Sequence, residues 1–170
     1  MIREWALEKI ASNALVLDIE STGGSFQDEM IDLAIVDLKN MSVLYDSLFK
    51  PTAQINYYAQ QVHGIDHHLL RNAPYLENEF SKINSIIQDK QIITYNVAFD
   101  KRTFYQSYTK YDLEVVDSTW ECLMLKCNKH FKIQQKLGAV CEKFNLEKGT
   151  HRALSDALAA ARVVHALANL

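Results

Sequence analysis

Four carboxylates and one imidazole stand in three separated segments: Asp18 with Glu20, then Asp100, then His151 with Asp156 five positions on. Each lies beside an apolar stretch able to hold it rigid. Carboxylates gathered at one point repel one another, and the usual remedy is a pair of hard divalent cations with oxygen ligands. Such a pair activates water and clamps both oxygens of an in-line displacement, the chemistry of phosphodiester cleavage.

The spacings favour such a gathering. Asp18 and Glu20 are two apart at the end of the apolar run Ala14–Ile19. On a strand they share one face while Ile19 points the other way. Taken alone, they could be exposed acids near a strand end. The preceding Leu15-Val16-Leu17 argues for a central strand, and ligands of open α/β sheets bind at the carboxyl ends of such strands. Asp100 follows Asn96-Val97-Ala98-Phe99 at the start of a predicted helix. There it faces outward, as a ligand or as a charge complementing the helix dipole, with Phe99 anchored in the core. Asn96 is a turn residue or holds the neighbouring loop by side-chain hydrogen bonds. Five helical residues turn through about 500°, so His151 and Asp156 would diverge by about 140° on one helix. His151 is therefore predicted in the loop before the last helix, and Asp156 in its early turns. A loop-borne His suits a base that swings in, and equally a cap or a solvent-exposed residue. His67, His68 and His165 have no acidic company and read as structural.

The elements that must position these groups follow from patterning. Residues 3–11 form a leading helix within a 1–13 leader. Strands are predicted at Ala14–Ile19, Met30–Leu38 and Met41–Lys50, the last two joined by a turn at Asn40, so the three make an antiparallel meander. Ser21–Ser25 is a loop. Short helices follow at Asn56–His63 and Asp66–Arg71, then an amphipathic one at Tyr75–Gln88. Gln91–Tyr95 is a fourth strand, Phe99–Tyr108 a helix and Leu113–Val116 a fifth strand. Helices Thr119–Lys126 and Gln135–Phe144 precede a last, Ala- and Leu-rich helix from about Arg152 to Ala168. The expected fold is an α/β single domain over 1–170, with a mixed five-stranded sheet (three meander strands plus two parallel ones) flanked by helices.

Bulk properties narrow the classes. A chain of 170 residues with 48% hydrophobic and 23% charged residues is an ordinary globular composition, and five Gly and two Pro leave little room for disorder. The net charge of −3 gives no global attraction for nucleic acid, although two bound cations would reverse the sign locally. No apolar stretch is long enough to span a bilayer, and the N-terminus does not read as a signal peptide. Cys122, Cys127 and Cys141 lack zinc spacing and read as buried free thiols in a reducing cytoplasm.

Asp18-x-Glu20 followed by Thr22-Gly23, then Asn96-x-x-Phe99-Asp100, then His151-x-x-x-x-Asp156 resembles the DEDDh class of 3′-to-5′ exonucleases, the DnaQ-like group of the ribonuclease H-like fold. The likeness extends to Val62-His63-Gly64-Ile65, to Asp117 with a following helix, and to His151 through Ala157, covering about residues 14–168. It implies Asp18, Glu20 and Asp156 on a first divalent cation, Mg²⁺ or Mn²⁺. Asp18 would also hold a second, with Asp100 acting partly through water. It implies His151 as general base, which must be neutral to act, and release of nucleoside 5′-monophosphates. Thr22, Gly23, Val62, His63, Asn96 and Phe99 would line the terminal nucleotide, with stacking on Val62, His63 or Phe99. The basic stretch Lys126, Lys129, His130, Lys132 and Lys136 could meet phosphates or be a solvated surface.

The resemblance implies a cytoplasmic enzyme acting on single-stranded DNA 3′ ends, as in DNA repair, with RNA trimming as the runner-up. A polymerase-associated proofreading subunit shares the chemistry but predicts a polymerase partner. No tail resembling polymerase- or clamp-binding extensions follows the last helix, so a stand-alone enzyme is the better expectation. Ser21 and Asp32 depart from the usual Thr and Glu of relatives without touching the ligand pattern. A non-catalytic binding module would be expected to have lost one of the five groups, and none is missing.

Overall fold

The computed structural model describes residues 1–170. Its centre is β1 (Leu15–Ser21), flanked by β2 (Met30–Asp37) and β3 (Val43–Leu48) on one side and by β4 (Gln91–Thr94) and β5 (Thr119–Cys122) on the other. The sheet order is β3-β2-β1-β4-β5. β1–β2 and β2–β3 pair antiparallel, and β1–β4 and β4–β5 pair parallel. The mixed sheet expected from the sequence is therefore present.

Period-2 alternation on β1 divides the core into two layers. Leu15, Leu17 and Ile19 face one side, where α3 (Leu76–Ile87) contributes Ile83 and Ile87 and α4 (Val97–Lys110) contributes Phe104 and Tyr108. Ala14 and Val16 face the other side, against α1 (Ile2–Ala11), α5 (Leu123–Phe131), α6 (Leu137–Lys143) and α7 (Ala153–Ala168). Asp18 and Glu20 continue the Val16 side, so both point toward α7. The small residues of α7, including Ala153, Ala157, Ala160 and Ala161, let that helix lie close on the sheet.

Three predicted elements are corrected. The fifth strand is Thr119–Cys122, not Leu113–Val116. The latter residues form an irregular segment whose apolar side chains pack onto the α3/α4 layer without pairing. The predicted helix from Thr119 accordingly starts at Leu123. Asp66–Arg71 is a chain of turns rather than a helix, although the Asp66 side chain accepts the Leu69 N–H at 2.7 Å as a helix cap would. α2 (Tyr57–His63) is a true helix, capped by Asn56 and ended by Gly64 at φ 69°.

Candidate active site

β1 delivers Asp18 and Glu20 at its carboxyl end, both half-buried. β4 stops at Thr94, leaving the Ile19 N–H beyond the parallel ladder without a backbone partner. Asp100, in the first turn of α4, fills that place: its Oδ1 accepts the Ile19 N–H at 3.2 Å. Asp100 is buried rather than outward-facing, because the carboxylate serves as a surrogate ladder acceptor. Asp156 sits in the first turn of α7. Its Oδ1 accepts the His151 N–H at 3.1 Å, and its Oδ2 lies 4.0 Å from His151 Nδ1.

His151 occupies the loop before α7, as the spacing requires, at φ 57° in the left-handed region. Gly149, two residues before it, makes room for the Asp156 carboxylate. A Cβ on Gly149 would lie 1.9 Å from Asp156 Oδ1, so the carboxylate rests against bare backbone. Sequence reasoning missed this residue; the one signal was a glycine two positions before the His. It also gave no role to Arg152, whose Nε donates to Asp32 Oδ2 at 2.8 Å while the same oxygen accepts the Ala153 N–H at 3.2 Å. Asp32 pairs with Glu20 across β1–β2, so this contact pins the start of α7 above the acids.

The electrostatics match a crowded anion site. Burial, then the charges of Asp100, Glu20 and Asp156, push the Asp18 carboxyl well above the usual carboxylate range. Burial raises Glu20 to about 8, with Asp156 and Asp32 adding to it. Burial raises Asp100 to about 7, opposed by the Ile19 N–H. Burial also raises Asp156, opposed by the His151 N–H. No Lys or Arg pairs with Asp18, Glu20 or Asp100; the neighbouring Arg152 is committed to Asp32. Oxygen and imidazole donors of Glu20, His151 and Asp156 lie within 4.8 Å of one another. Hard donors, mutual repulsion and no paired Lys or Arg together fit divalent cations.

Beside the acids runs a groove of about 360 Å³ lined by Glu20, Gly23, Asn56, Tyr58, Val62 and Phe99, among others. Phe99 is half-buried at this groove, not anchored in the core. Val62 is exposed on it. His63 also borders the groove but is buried: Nδ1 accepts the Ile65 N–H at 3.0 Å, so Nε2 carries the proton and donates to the Ser21 carbonyl at 3.1 Å. Thr22 is fully buried, its hydroxyl engaged with Asp28 and the Glu29 N–H, so its side chain shapes the loop instead of facing the groove. Asn96 caps α4 through its carbonyl, with no side-chain capping bond. Asp117 is exposed and precedes β5 rather than a helix. Three residues of the basic stretch lie elsewhere. Lys126 pairs with Glu121 at 3.4 Å, and Lys126, Lys129 and His130 line a separate groove beside α1. His165 bonds the Leu38 carbonyl, and the three cysteines are buried free thiols.

Residues 15–164 match the model of the RNase_T exonuclease family. Among curated relatives, the chain is 24% identical to an uncharacterized exonuclease of Escherichia phage 186, over 98% of this chain and 94% of that protein. It is 26% identical to the PolC-type DNA polymerase III of Caldanaerobacter subterraneus, over 88% of this chain but 11% of the polymerase. Among solved structures, exonuclease X in complex with 5′ overhanging duplex DNA superposes with a TM-score of 0.72 at 21% identity, covering 92% of this chain and 91% of that one. The nuclease domain of 3′hExo, a DEDDh family member bound to rAMP, gives 0.76 at 15% identity, covering 92% of each.

Proposed function

Because the chain belongs to the RNase_T exonuclease family, we propose that it hydrolyses nucleic acid from the 3′ end, with single-stranded DNA as its substrate and nucleoside 5′-monophosphates as products. The observation that carries this reading is the meeting of Asp18, Glu20, Asp100 and Asp156 at the carboxyl end of β1 with no protein cation to neutralise them. These four would hold two divalent cations, which when bound supply water activation and neutralise charge on the scissile phosphate. The chain's own groups do the rest. His151, whose side chain is 65% exposed, takes the proton of the attacking water at an imidazole nitrogen and returns it to solvent. Its backbone N–H on Asp156 fixes the loop, so base and acid cluster move as one unit. The groove beside Glu20 receives the terminal nucleotide, with Val62 and Phe99 against the base and the Gly23 backbone beside the sugar.

DNA is favoured over RNA by the PolC relatives, which are DNA polymerases by name. The same relatives are far longer than this chain, so a proofreading association with a polymerase is the second reading. The test is degradation of 3′- and 5′-labelled single- and double-stranded DNA and RNA with Mg²⁺, Mn²⁺ or chelator. The expected result is stepwise loss from the 3′ end of single-stranded DNA, abolished by chelator and by Asp18→Asn. Chelator-insensitive cleavage or digestion from the 5′ end would overturn it. Co-elution with a polymerase in size-exclusion chromatography would support the second reading.

A further inference from the structure

The acid cluster repels phosphates, and the net charge of −3 offers no general compensation. A strand leading to the groove therefore needs local cations. Along its outer side, α4 presents Ala98, Lys101, Arg102 and Tyr105, and Trp120 of β5 closes a shallow trough beside them. Phe99 at the head of the same helix lines the groove at Glu20. Groove and trough thus adjoin at the first turn of α4.

Arg102 stands at that junction. Its Cζ lies 5.0 Å from the ring centroid of Phe26 and 5.8 Å from that of Phe99. Nη2 donates to the Gly24 carbonyl at 3.0 Å and Nε is buried without a hydrogen bond; the Asp28 carboxylate is near enough to feel the guanidinium charge but forms no salt bridge with it. A guanidinium placed between two aromatic rings keeps its remaining Nη hydrogens for phosphate oxygens. Phe26 is 79% exposed. Its loop is nonetheless fixed, because Gln106 Nε2 donates to the carbonyls of Ser25 and Asp28 at 3.1 and 2.6 Å. An exposed aromatic ring on a tethered loop is a stacking platform. Further along, Lys101 lies over Tyr105 at 5.7 Å, and Tyr105 meets Trp120 at 6.3 Å.

We propose that this strip is a track for the single strand upstream of the terminal nucleotide. Arg102 binds a phosphate and Phe26 stacks a base just 5′ of the residue in the groove. Lys101, Tyr105 and Trp120 continue the path. The assignment rests on the exonuclease reading of the groove. It goes further by predicting that substrate length is sensed outside it.

The test titrates a fluorescein-labelled twelve-residue oligothymidylate with 3′ phosphorothioate linkages onto the full chain, with Ca²⁺ replacing Mg²⁺, at several salt concentrations. Arg102→Gln should raise Kd about tenfold and reduce the slope of log K against log salt by about 0.7, the loss of one single-strand phosphate contact. Phe26→Ala, at a surface ring, should raise Kd about tenfold with the slope unchanged, as loss of one stacked base requires. In Mg²⁺, the ratio of kcat/KM on the same oligonucleotide with unmodified phosphodiester linkages to that on the p-nitrophenyl ester of thymidine 5′-monophosphate should fall about tenfold in both variants. Wild-type Kd and slope in both variants would overturn the track and leave Arg102 as a loop tether. Hydrolysis of neither substrate by the wild type, with binding weakened as expected in the variants, would sink the exonuclease reading and leave the track standing.

Discussion

Gly149 tests how tightly one side chain must be held. Any Cβ there would lie 1.9 Å from Asp156 Oδ1 and 2.6 Å from its Cγ, so the carboxylate or the loop must shift. Either shift breaks the bond from the His151 N–H and separates His151, the proposed base, from the acids. A displacement of about 1 Å in a catalytic group costs about 10²-fold in rate. Gly149→Ala should therefore lose about that factor in kcat while the melting temperature moves little, because the loop lies at the surface. Activity within threefold of wild type, read by release of labelled 3′ nucleotide, would show that the contact has slack. At this scale the sequence was partly legible. The two-residue step from Asp18 to Glu20 and the five-residue step from His151 to Asp156 each have one geometric solution on a strand and at a helix start. Asp100 was legible as an acid at a helix start but not as a buried one, because its partner is a backbone N–H set free by where β4 happens to stop.

At the scale of elements, β1 and α2 are joined through one imidazole. His63 accepts from Ile65 and donates to the Ser21 carbonyl, tying the end of the acid-bearing strand to the helix that walls the groove. Removing it leaves two buried backbone groups unpaired, at about 1–3 kcal/mol each. His63→Ala should lower stability by that order in urea unfolding and raise KM more than it lowers kcat. Burial lowers the pKa of His63, so the native state holds the ring neutral. The sign follows from linkage: the unfolded chain binds the proton more readily, so this contribution is complete above the ordinary value of 6.5 and fades as pH falls below it. The deficit of the variant should therefore shrink between pH 8 and pH 5. A constant deficit would show that the tie does not depend on the neutral ring. Elements were legible where local pattern and tertiary role agreed, as in β1, β2 and α7. β5 was not. Leu113–Val116 has the better strand pattern, but Thr119–Cys122 is the segment that pairs with β4, and its Glu121 accepts the Trp5 indole N–H at 2.8 Å and the Lys9 ammonium at 2.5 Å from α1. The α1 partners lie more than a hundred residues away in sequence, beyond any local pattern.

The whole molecule can be read as a scaffold under tension. Two layers of packing force four acids together, and folding must oppose their repulsion at neutral pH. Glu20 sets the window. Its carboxyl moves from an ordinary 4.5 to about 8 on folding, so the native state holds a proton that the unfolded chain releases. A raised acid costs nothing below 4.5, costs progressively more as pH rises, and costs the full amount above about 8. Asp100, raised to about 7, acts in the same direction. The metal-free chain should therefore lose stability between pH 5 and pH 8, from the same groups that would hold divalent cations. Mn²⁺ or Mg²⁺ should restore what the acids remove. At a hundredfold excess over Kd, a ligand adds about 2.7 kcal/mol, or about 5–10 °C in melting temperature for a chain of this size. The expected result is a shift of that order at pH 8, a much smaller one at pH 5.5 where the acids stay protonated, and none at either pH for Asp18→Asn. Equal shifts at both pH values would mean that the cations bind elsewhere on the surface and that the acid cluster is not their site.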